Sequence, residues 1–347
     1  DLPEPPLAAL TLGRWGGAMP AAGAAVLHRP PGVSPRSSAL GDAVVAASAL
    51  VLIGSVPALP LLLAWLWWRA RRAEPEERRG AWAKFVACLA FFLLLAFIPT
   101  VARPGLVQSA FFRWWVEYFA VRIAYRAGEP LPRGQYLFLM MPHGLYPFCG
   151  ACSAISGMVE VFFGMRIASA SVAFRLPVIR QLLAWIGSIP ASKESIAAAL
   201  RQGSSVCVFP GGISEMVRTD AASERLVLKN RKGIVQLALE HGVPVVPVYV
   251  FGQTALWRQL QLPKVVERLS RWLRVSIFLP YGRFGTLIPR KLPLLYCIGA
   301  PIFSPKMDTV DRARTEEVQR VVIDAVRDLY DTYKGIYGWE KRPLHID

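Results

Sequence analysis

His143 is the residue of this chain that is best placed by its neighbours to perform acid–base chemistry. It lies in the segment Met140–Gly144, directly after Gln135–Leu139, an apolar run typical of a buried strand. A histidine between such a strand and a glycine is typical of a proton-transfer group on a loop held by a rigid scaffold. A histidine that only makes a structural hydrogen bond has the same local pattern, so the rest of the chain must decide.

A second segment with chemical potential is Gly211–Glu215, which follows another apolar run. Its two glycines allow the backbone to turn sharply or to approach a ligand. If a helix begins near Ser214, its first amide groups would bind a phosphate or a developing oxyanion. Glu215 either orients and polarises His143 or caps that helix, and the local pattern fits both roles.

A basic cluster, Lys229–Gly233, opens a predicted helix at 229–241. Positive charge at a helix start opposes the helix dipole, so anion binding would explain it, for example to a nucleotide phosphate or a lipid headgroup. A solvated charged surface is the alternative. Cys149 and Cys152 have redox or metal spacing, but one pair without a second is a weak signal, and we expect buried thiols and no metal site.

The composition favours a partly lipid-embedded protein. The chain has 347 residues, of which 54% are hydrophobic and 18% charged, with a formal net charge of +16. The apolar fraction is above and the charged fraction below the range of ordinary soluble domains. The positive excess favours anionic membranes or ligands. We expect no nucleic-acid binding, because the basic residues are dispersed and no recognised reader motif is present.

Alternating strand and helix patterns after residue 104 predict an α/β domain. The predicted strands are apolar runs and the clearest helix stops at Gly242. The strands are predicted at Tyr136–Met140, Ser205–Phe209, Val245–Val250 and Leu294–Ile298. Ligands of such sheets bind at the carboxyl ends of strands. His143 and the Gly211–Gly212 turn both follow strands, so we expect them to line one crevice.

Two apolar spans predict a helical membrane hairpin at 42–103. Ala43–Trp68 contains no charge and Ala81–Ala102 contains only Lys84, so both approach or exceed the roughly 20 residues that cross a bilayer. A pair of buried core helices is the less favoured alternative. We expect residues 1–41 to form a disordered or poorly ordered tail and 104–347 the catalytic domain. The basic residues on the two sides of the spans are nearly balanced and do not decide the orientation.

The aromatic stretch Phe111–Phe119 fits two structures equally well on pattern alone. It mixes large apolar side chains with charge, as does a helix at the lipid–water boundary. An amphipathic helix packed on the globular domain has the same pattern.

Taken in order, these motifs resemble the type-two diacylglycerol acyltransferase family, which includes the monoacylglycerol and wax-alcohol acyltransferases. The resemblance covers about Phe85–Trp339 and consists of five blocks in the family's order and spacing. Pro142-His143-Gly144 matches its His-Pro-His-Gly block, Arg175–Arg180 its Pro-x-x-Arg segment, Gly211–Glu215 its Gly-Gly-x-x-Glu block, Arg231–Gly252 its helix–strand signature, and Tyr281-Gly282-Arg283 a later Gly-Arg block.

The resemblance implies an acyltransferase-type mixed sheet flanked by helices and preceded by the two-helix membrane hairpin. It implies acyl transfer from a fatty acyl-CoA to the hydroxyl of diacylglycerol or a similar neutral lipid, with no cofactor. It also implies an endoplasmic reticulum membrane, with lipid droplets as a second site, and a cytosolic catalytic domain where acyl-CoA resides. The nearly balanced charge count does not outweigh this substrate argument.

The resemblance also assigns site residues. His143 would deprotonate the acceptor alcohol, and the amides near Gly211 and Gly212 would stabilise the oxyanion. The wider acyltransferase superfamily has an Asp five residues after its histidine, where this chain has Phe148, so Glu215 is the candidate carboxylate. The remaining substrate-binding candidates are Pro142, Gly144, Arg175, Arg180, Arg231 and Lys232. Of these, Arg231 and Lys232, together with Arg175 or Arg180, would attract the CoA phosphates.

The chain departs from the family pattern at several positions. Met141 replaces the first histidine of the block, Ile234 a Phe, Gln236 a basic residue, and Gln253-Thr254 the usual Gly-Glu-Asn continuation. The last changes could alter acceptor choice. The alternatives that stay open are another acceptor (monoacylglycerol, a long-chain alcohol or a lysophospholipid) and a non-catalytic lipid-droplet scaffold. Nothing in the sequence indicates the oligomeric state.

Overall fold

The structure of the protein is a computed structural model. Short apolar runs of the sequence form its strands. The structure describes residues 26–212, 214–215, 222–260, 279–303, 305–307 and 309–347. The strands are β1 (Leu27–His28), β2 (Arg122–Tyr125), β3 (Leu137–Met141), β4 (Arg166–Ser169), β5 (Ile189–Pro190), β6 (Val206–Val208), β7 (Glu224–Leu226), β8 (Val245–Phe251), β9 (Arg258–Gln259), β10 (Pro280–Tyr281), β11 (Leu295–Ile298) and β12 (Leu344–Ile346).

Eight of these strands form one mixed sheet in the order β1-β2-β11-β8-β3-β6-β4-β5. The five strands from β8 to β5 are parallel, whereas β11 runs antiparallel to β8 and β1 antiparallel to β2. Because β3, β6 and β8 are parallel neighbours, their carboxyl ends lie at the same edge. The loops that follow them, which carry His143, Gly211 and Gln253, therefore meet there.

Helices cover both faces of the sheet. They are α1 (Ala39–Arg72), α2 (Arg78–Phe97), α3 (Pro104–Val107), α4 (Ala110–Tyr118), α5 (Phe148–Ser153), α6 (Met158–Val161), α7 (Pro177–Trp185), α8 (Lys193–Arg201), α9 (Lys232–His241) and α10 (Arg312–Tyr337). Polar caps fix several of the ends. Ser38 accepts from the amide of Gly41 at the start of α1, and Asp311 accepts from Arg314 at the start of α10.

The strand side chains alternate between two hydrophobic cores. On β8, Val246, Val248 and Val250 face a first core with α1, α4 and α5. Tyr249 and Phe251 face a second core with α8, α9 and α10. This alternation with a period of two is what a sheet buried on both faces requires. The mixed α/β sheet flanked by helices confirms the fold class predicted from the sequence.

The first two helices form an antiparallel pair that projects from the domain. Both are long and apolar enough to cross a membrane, judged by length and composition. The first part of α1 packs on α4 through Val45, Ala49 and Ile53, whereas the side chains of α2 are exposed or half-buried. The predicted two-helix hairpin is therefore present, with its base fixed on the first core. Residues 1–25 of the predicted tail lie outside the described residues, and β1 follows them.

The aromatic stretch Phe111–Phe119 forms α4 and is packed inside the protein. Phe112, Trp115, Val116 and Tyr118 are buried in the first core. The structure thus favours the second alternative, an amphipathic helix on the globular domain, because its apolar face is covered by α1 and by the sheet.

Candidate active site

His143 lies on the loop that leaves the carboxyl end of β3, after the cis Met141–Pro142 bond. Its Nδ1 lies 2.8 Å from the carbonyl oxygen of Gly144. Because a carbonyl can only accept a hydrogen bond, Nδ1 carries the proton and Nε2 is the basic nitrogen of the neutral ring. Burial lowers the pKa of His143, which keeps the imidazole neutral near pH 7. The ring can therefore act as a general base through Nε2.

Gly144 is required by the shape of this loop. Its φ of +66° lies in the left-handed region, and a Cβ there would come within 3.1 Å of the Gln253 side chain. Both the conformation and the close approach favour glycine. The predicted Pro142 and Gly144 therefore shape the segment around the base.

Glu215 holds the backbone of His143 rather than its ring. Its Oε2 accepts from the amide of His143 at 2.7 Å, and its Oε1 accepts from the amide of Val227 at 3.0 Å. Burial raises the pKa of Glu215 to about 7, with a smaller contribution from the nearby Glu224 charge. The two amide donors and Arg231 lower this pKa in part. The carboxylate thus contacts His143 through the main chain, and the contact with the ring that the sequence led us to expect from Glu215 is made by the Gly144 carbonyl at Nδ1.

Gln253 fixes the same loop from the other side. Its amide nitrogen donates to the carbonyl oxygen of His143 at 3.0 Å and also to that of Tyr146, and its amide oxygen accepts from the amide of Cys149 at 3.0 Å. The side chain is buried, so these three backbone groups depend on it for hydrogen bonds. Together, Glu215 and Gln253 hold the N–H and the C=O of His143.

The glycine turn lies beside the His143 ring. The Phe209 ring packs edge-on against the His143 ring with centroids 5.6 Å apart. A Cβ on Gly211 would collide with the carboxylate of Glu215, so only glycine allows this approach. Gly212 has a φ of +50°, and Glu215 donates its amide to the Gly212 carbonyl at 3.2 Å. The structure therefore brings His143, Gly211, Gly212 and Glu215 together, as the sequence predicted.

Phe148 stands at the position of the superfamily's Asp and packs among aromatic rings. Its ring centroid lies 4.7 Å from that of Trp115, 5.7 Å from that of Phe119 and 5.5 Å from that of Trp257. An acidic side chain there would be buried among apolar groups. The carbonyl of Gly144 makes the hydrogen bond to Nδ1 instead.

The four predicted basic ligands lie in different environments. Arg231 donates to the Ser214 hydroxyl at 3.1 Å and lies near Glu215, so it belongs to the site. Lys232 pairs with Glu316 of α10 at 2.7 Å. Arg175 is exposed on a 3-10 turn before α7.

Arg180 caps the end of α2. It donates to the carbonyl oxygens of Leu95 at 3.2 Å and Ile98 at 2.9 Å. A cation at the carboxyl end of a helix is favourable both as a donor and against the helix dipole. This contact ties α7 of the domain to α2 of the hairpin.

A buried charge network supports the site from behind. Glu224 accepts from the Tyr249 hydroxyl at 3.0 Å and the Thr254 hydroxyl at 2.8 Å, and it pairs with Arg342 at 2.6 Å. Burial raises its pKa, and Arg342 opposes that rise. Because Thr254 adjoins Gln253 and Glu224 begins the strand before Val227, this network holds both supports of the His143 loop.

Sequence reasoning missed the roles of Gln253 and Glu224. Gln253 was noted only as a departure from a family pattern, and Glu224 lies in a segment without a recognised motif. The one available signal was that Gln253-Thr254 follows the strand β8, whose carboxyl end faces the same edge as His143.

These features can be compared with known proteins. A family model described as diacylglycerol acyltransferase matches residues 83–346, which is most of the chain. The chain belongs to the diacylglycerol acyltransferase family. The match includes His143, the glycine turn, Glu215 and the whole sheet except β1, and it begins within α2, after α1 and the turn of the hairpin.

Several individual proteins are moderately similar to this chain. The chain is 30% identical to acyl-CoA wax alcohol acyltransferase 2 of Homo sapiens over 64% of this chain and 72% of that protein. It is 29% identical to diacylglycerol O-acyltransferase 2 of Danio rerio over 64% of this chain and 67% of that protein, and 27% identical to the Mus musculus protein of the same name over 72% and 70%. Among solved structures, the 1-acyl-sn-glycerophosphate acyltransferase PlsC from Thermotoga maritima is similar over 82% of this chain and 98% of that one, with 15% identity and a TM-score of 0.41.

Proposed function

We propose that this protein is an acyl-CoA-dependent O-acyltransferase that esterifies diacylglycerol to triacylglycerol at a membrane. The observation that carries the proposal is the state of His143. Its ring is kept neutral by burial, its Nδ1 proton is held by the Gly144 carbonyl, and its backbone is fixed by Glu215 beside a glycine turn. Membership of the diacylglycerol acyltransferase family supports the reaction class.

The chemistry follows from the poor nucleophilicity of an alcohol at neutral pH. Nε2 of His143 removes the proton of the acceptor hydroxyl as its oxygen attacks the thioester carbonyl. The tetrahedral intermediate then collapses, the carbon–sulfur bond breaks, and the imidazolium returns its proton to the departing CoA thiolate. The fixed hydrogen bond from Nδ1 keeps the ring oriented through both proton transfers.

The glycine turn is the proposed oxyanion site. The backbone near Gly211 and Gly212 lies beside His143, and amide donors aimed at a developing oxyanion contribute about 3 kcal/mol each in known enzymes. The buried thiols of Cys149, Cys152 and Cys207 are unsuited to a covalent acyl-enzyme, because burial raises the pKa of each thiol.

Membrane attachment through α1 and α2 would bring the site to its lipid substrates. We infer that the pair forms a hairpin in the endoplasmic reticulum membrane or on lipid droplets, with the catalytic domain in the cytosol where acyl-CoA is found. Arg231 is the basic residue best placed to meet the CoA phosphates, and exposed Arg175 would join it.

The acceptor is the least constrained part of the proposal. Relatives named for wax alcohols and for diacylglycerol match at nearly equal identity. Diacylglycerol is preferred because the family model carries that name and several relatives share it. Long-chain alcohols and monoacylglycerol are the competing acceptors.

The test compares wild type, His143→Ala and the matched control His345→Ala, whose histidine is exposed on β12. Membranes of a triacylglycerol-deficient host receive labelled oleoyl-CoA with diacylglycerol, monoacylglycerol or a long-chain alcohol. We expect triacylglycerol formation to fall about 10²–10⁴-fold in His143→Ala and to stay at the wild-type level in the control.

Three other outcomes would contradict the proposal. Unchanged synthesis in His143→Ala, at equal expression and thermal stability, would refute the assignment of the base. Product only with another acceptor would refute diacylglycerol as the substrate. No product from wild type with any acceptor would favour the scaffold alternative.

A further inference from the structure

An exposed aromatic ring in an unfavourable backbone conformation stands beside the base of the hairpin. Among the described residues, the non-glycine residues with positive φ are Ala120, Phe163 and Phe284. Phe284 has φ 58° and ψ 26°, and its side chain is 78% exposed, whereas the other two are half-buried. A strained backbone that presents a large apolar side chain to the outside needs a reason other than packing.

The loop around Phe284 is held rigidly by its own hydrogen bonds. Gly282 donates its amide to the Thr286 carbonyl at 2.6 Å, and Arg283 donates to the Ile288 carbonyl at 2.7 Å. The Thr286 hydroxyl donates to the Arg283 carbonyl at 2.8 Å. We call residues 282–288 the aromatic loop. Its conformation is fixed before any partner arrives, so the exposed ring is a preformed feature.

The aromatic loop lies at the level where α1 leaves the domain. Leu287 is the nearest side chain to Gly54 of α1, since a Cβ on that glycine would be 3.7 Å from it. Val45, Ala49 and Ile53 form the buried face of α1, and the next buried residue of this helix is Ala70. Gly54 therefore marks the height at which the buried face of α1 against the domain ends.

Further contacts fasten the loop to the domain at this height. The Leu287 carbonyl accepts from the Trp257 indole at 2.9 Å, and the Pro289 carbonyl accepts from the Tyr118 hydroxyl at 2.8 Å. Lys291 pairs with Asp42 in the first turn of α1 at 2.5 Å. The position of Phe284 relative to the hairpin is thus set by contacts on both sides of the loop.

The chemistry of the loop tip suits the boundary between lipid and water. The Arg283 guanidinium lies 4.7 Å from the centroid of the Phe284 ring, so an apolar face and a cation are presented together. In proteins that lie at a bilayer surface, Phe, Trp and Leu side chains enter the headgroup–acyl boundary while arginine heads stay at the polar side. Arg283 adds an attraction to anionic headgroups.

We propose that the aromatic loop is a second membrane-contact site, in which Phe284 inserts into the lipid surface beside the hairpin. The partner is a bilayer containing anionic lipid. The inference rests on the membrane attachment in the proposed function, because the hairpin supplies the surface with which the loop is continuous. The loop would fix the tilt of the catalytic domain against the bilayer.

The test places an environment-sensitive fluorophore at three positions of the full-length chain in phosphatidylcholine vesicles with a minority of phosphatidylserine. The labelled variants are Phe284→Cys, Phe91→Cys on exposed α2, and Val321→Cys on the exposed side of α10, which covers the opposite face of the sheet. All variants carry Cys88→Ser, because the half-buried Cys88 thiol would also react with the label. The other four native cysteines are buried. The quencher is a brominated lipid.

We expect quenching at 284 and 91 but not at 321. Quenching at 91 without quenching at 284 would overturn the loop contact and leave the membrane hairpin intact. No quenching at either position would overturn both. A fluorescence change at 284 that is the same in vesicles without brominated lipid and that grows with protein concentration would assign the ring to a second copy of the chain and overturn the lipid partner.

A second variant separates membrane contact from folding. Phe284→Gly removes the ring and suits the left-handed backbone, so we expect its melting temperature in detergent to equal or exceed that of wild type. We expect the Michaelis constant for diacylglycerol in vesicles to rise several-fold while the rate at saturation holds. A lowered melting temperature would mean that the ring stabilises the fold, and it would overturn the inference.

Discussion

The raised pKa of Glu215 makes a specific prediction about the pH dependence of stability. Glu215 is buried and holds two backbone amides, and burial raises its pKa from 4.5 to about 7. The folded state therefore retains the proton over a range in which the unfolded chain has lost it. Glu215→Gln removes the titration but keeps the size of the side chain.

The magnitude follows from the shift. Each pKa unit corresponds to about 1.4 kcal/mol, so a rise from 4.5 to about 7 amounts to roughly 3 kcal/mol. Because the folded pKa is raised, this stability is fully present below pH 4.5 and is lost as the pH rises through 7. Relative to Glu215→Gln, wild type should thus be less stable at pH 8 than at pH 4.5 by roughly 3 kcal/mol.

The assay is thermal unfolding of the purified full-length protein in detergent across this pH range. For a chain of 347 residues, the change corresponds to a shift of about 4 °C in the difference between the two melting temperatures. Glu340→Gln, at an exposed position near the carboxyl end of the chain, controls for the change in net charge. The reasoning would be refuted if the melting temperatures of wild type and Glu215→Gln differed by the same amount at every pH from 4.5 to 8. That result would mean that Glu215 ionises in the folded state as it does in the unfolded one.

Two further substitutions test the supports around the site. Gln253→Leu leaves three buried backbone groups without their partner, so we expect the free energy of unfolding to fall by about 3 kcal/mol and the maximal rate to fall strongly. Neither effect is expected in the exposed control Gln202→Leu. An unchanged rate in Gln253→Leu would show that the loop does not need this contact. Arg180→Ala removes the cap of α2 and should cost about 1 kcal/mol and speed hydrogen exchange in the last turn of that helix. A raised Michaelis constant for acyl-CoA with unchanged exchange would instead assign Arg180 to CoA binding.

The sheet was predictable because its strands are short, apolar and buried on both faces. The predicted strands at 136–140, 205–209, 245–250 and 294–298 each overlap an observed strand to within one or two residues at either end. The strands β1, β2, β4 and β5 of the same sheet were missed, since their runs are only two to four residues long and mixed in character. Gly242, with a φ of +64°, ends α9 as the pattern predicted.

The site was predictable only as far as its motifs reach. The parallel pairing of β3 and β6 explains why two segments far apart in the chain could be placed in one crevice. The way Glu215 acts could not be read from its spacing, because a bond to the His143 backbone and a bond to its ring need the same sequence. The role of Gln253 could not be predicted from the sequence for a related reason. Its three partners are main-chain groups, which leave no trace in the residue types around them.

The aromatic cluster around Phe148 connects the His143 loop to helix α1 of the hairpin. Phe148 packs on Trp115 of α4, and both line a narrow apolar cavity together with Leu52 of α1. The cavity volume of about 20 Å³ is too small for an acyl chain, so these side chains form a packed connection between the hairpin and the His143 loop. An Asp at position 148 would break this connection, because a buried carboxylate cannot pack among Trp115 and Trp257 without a partner. The Gly144 carbonyl holds Nδ1 of the His143 ring, and the Phe148 side chain connects the His143 loop to α1.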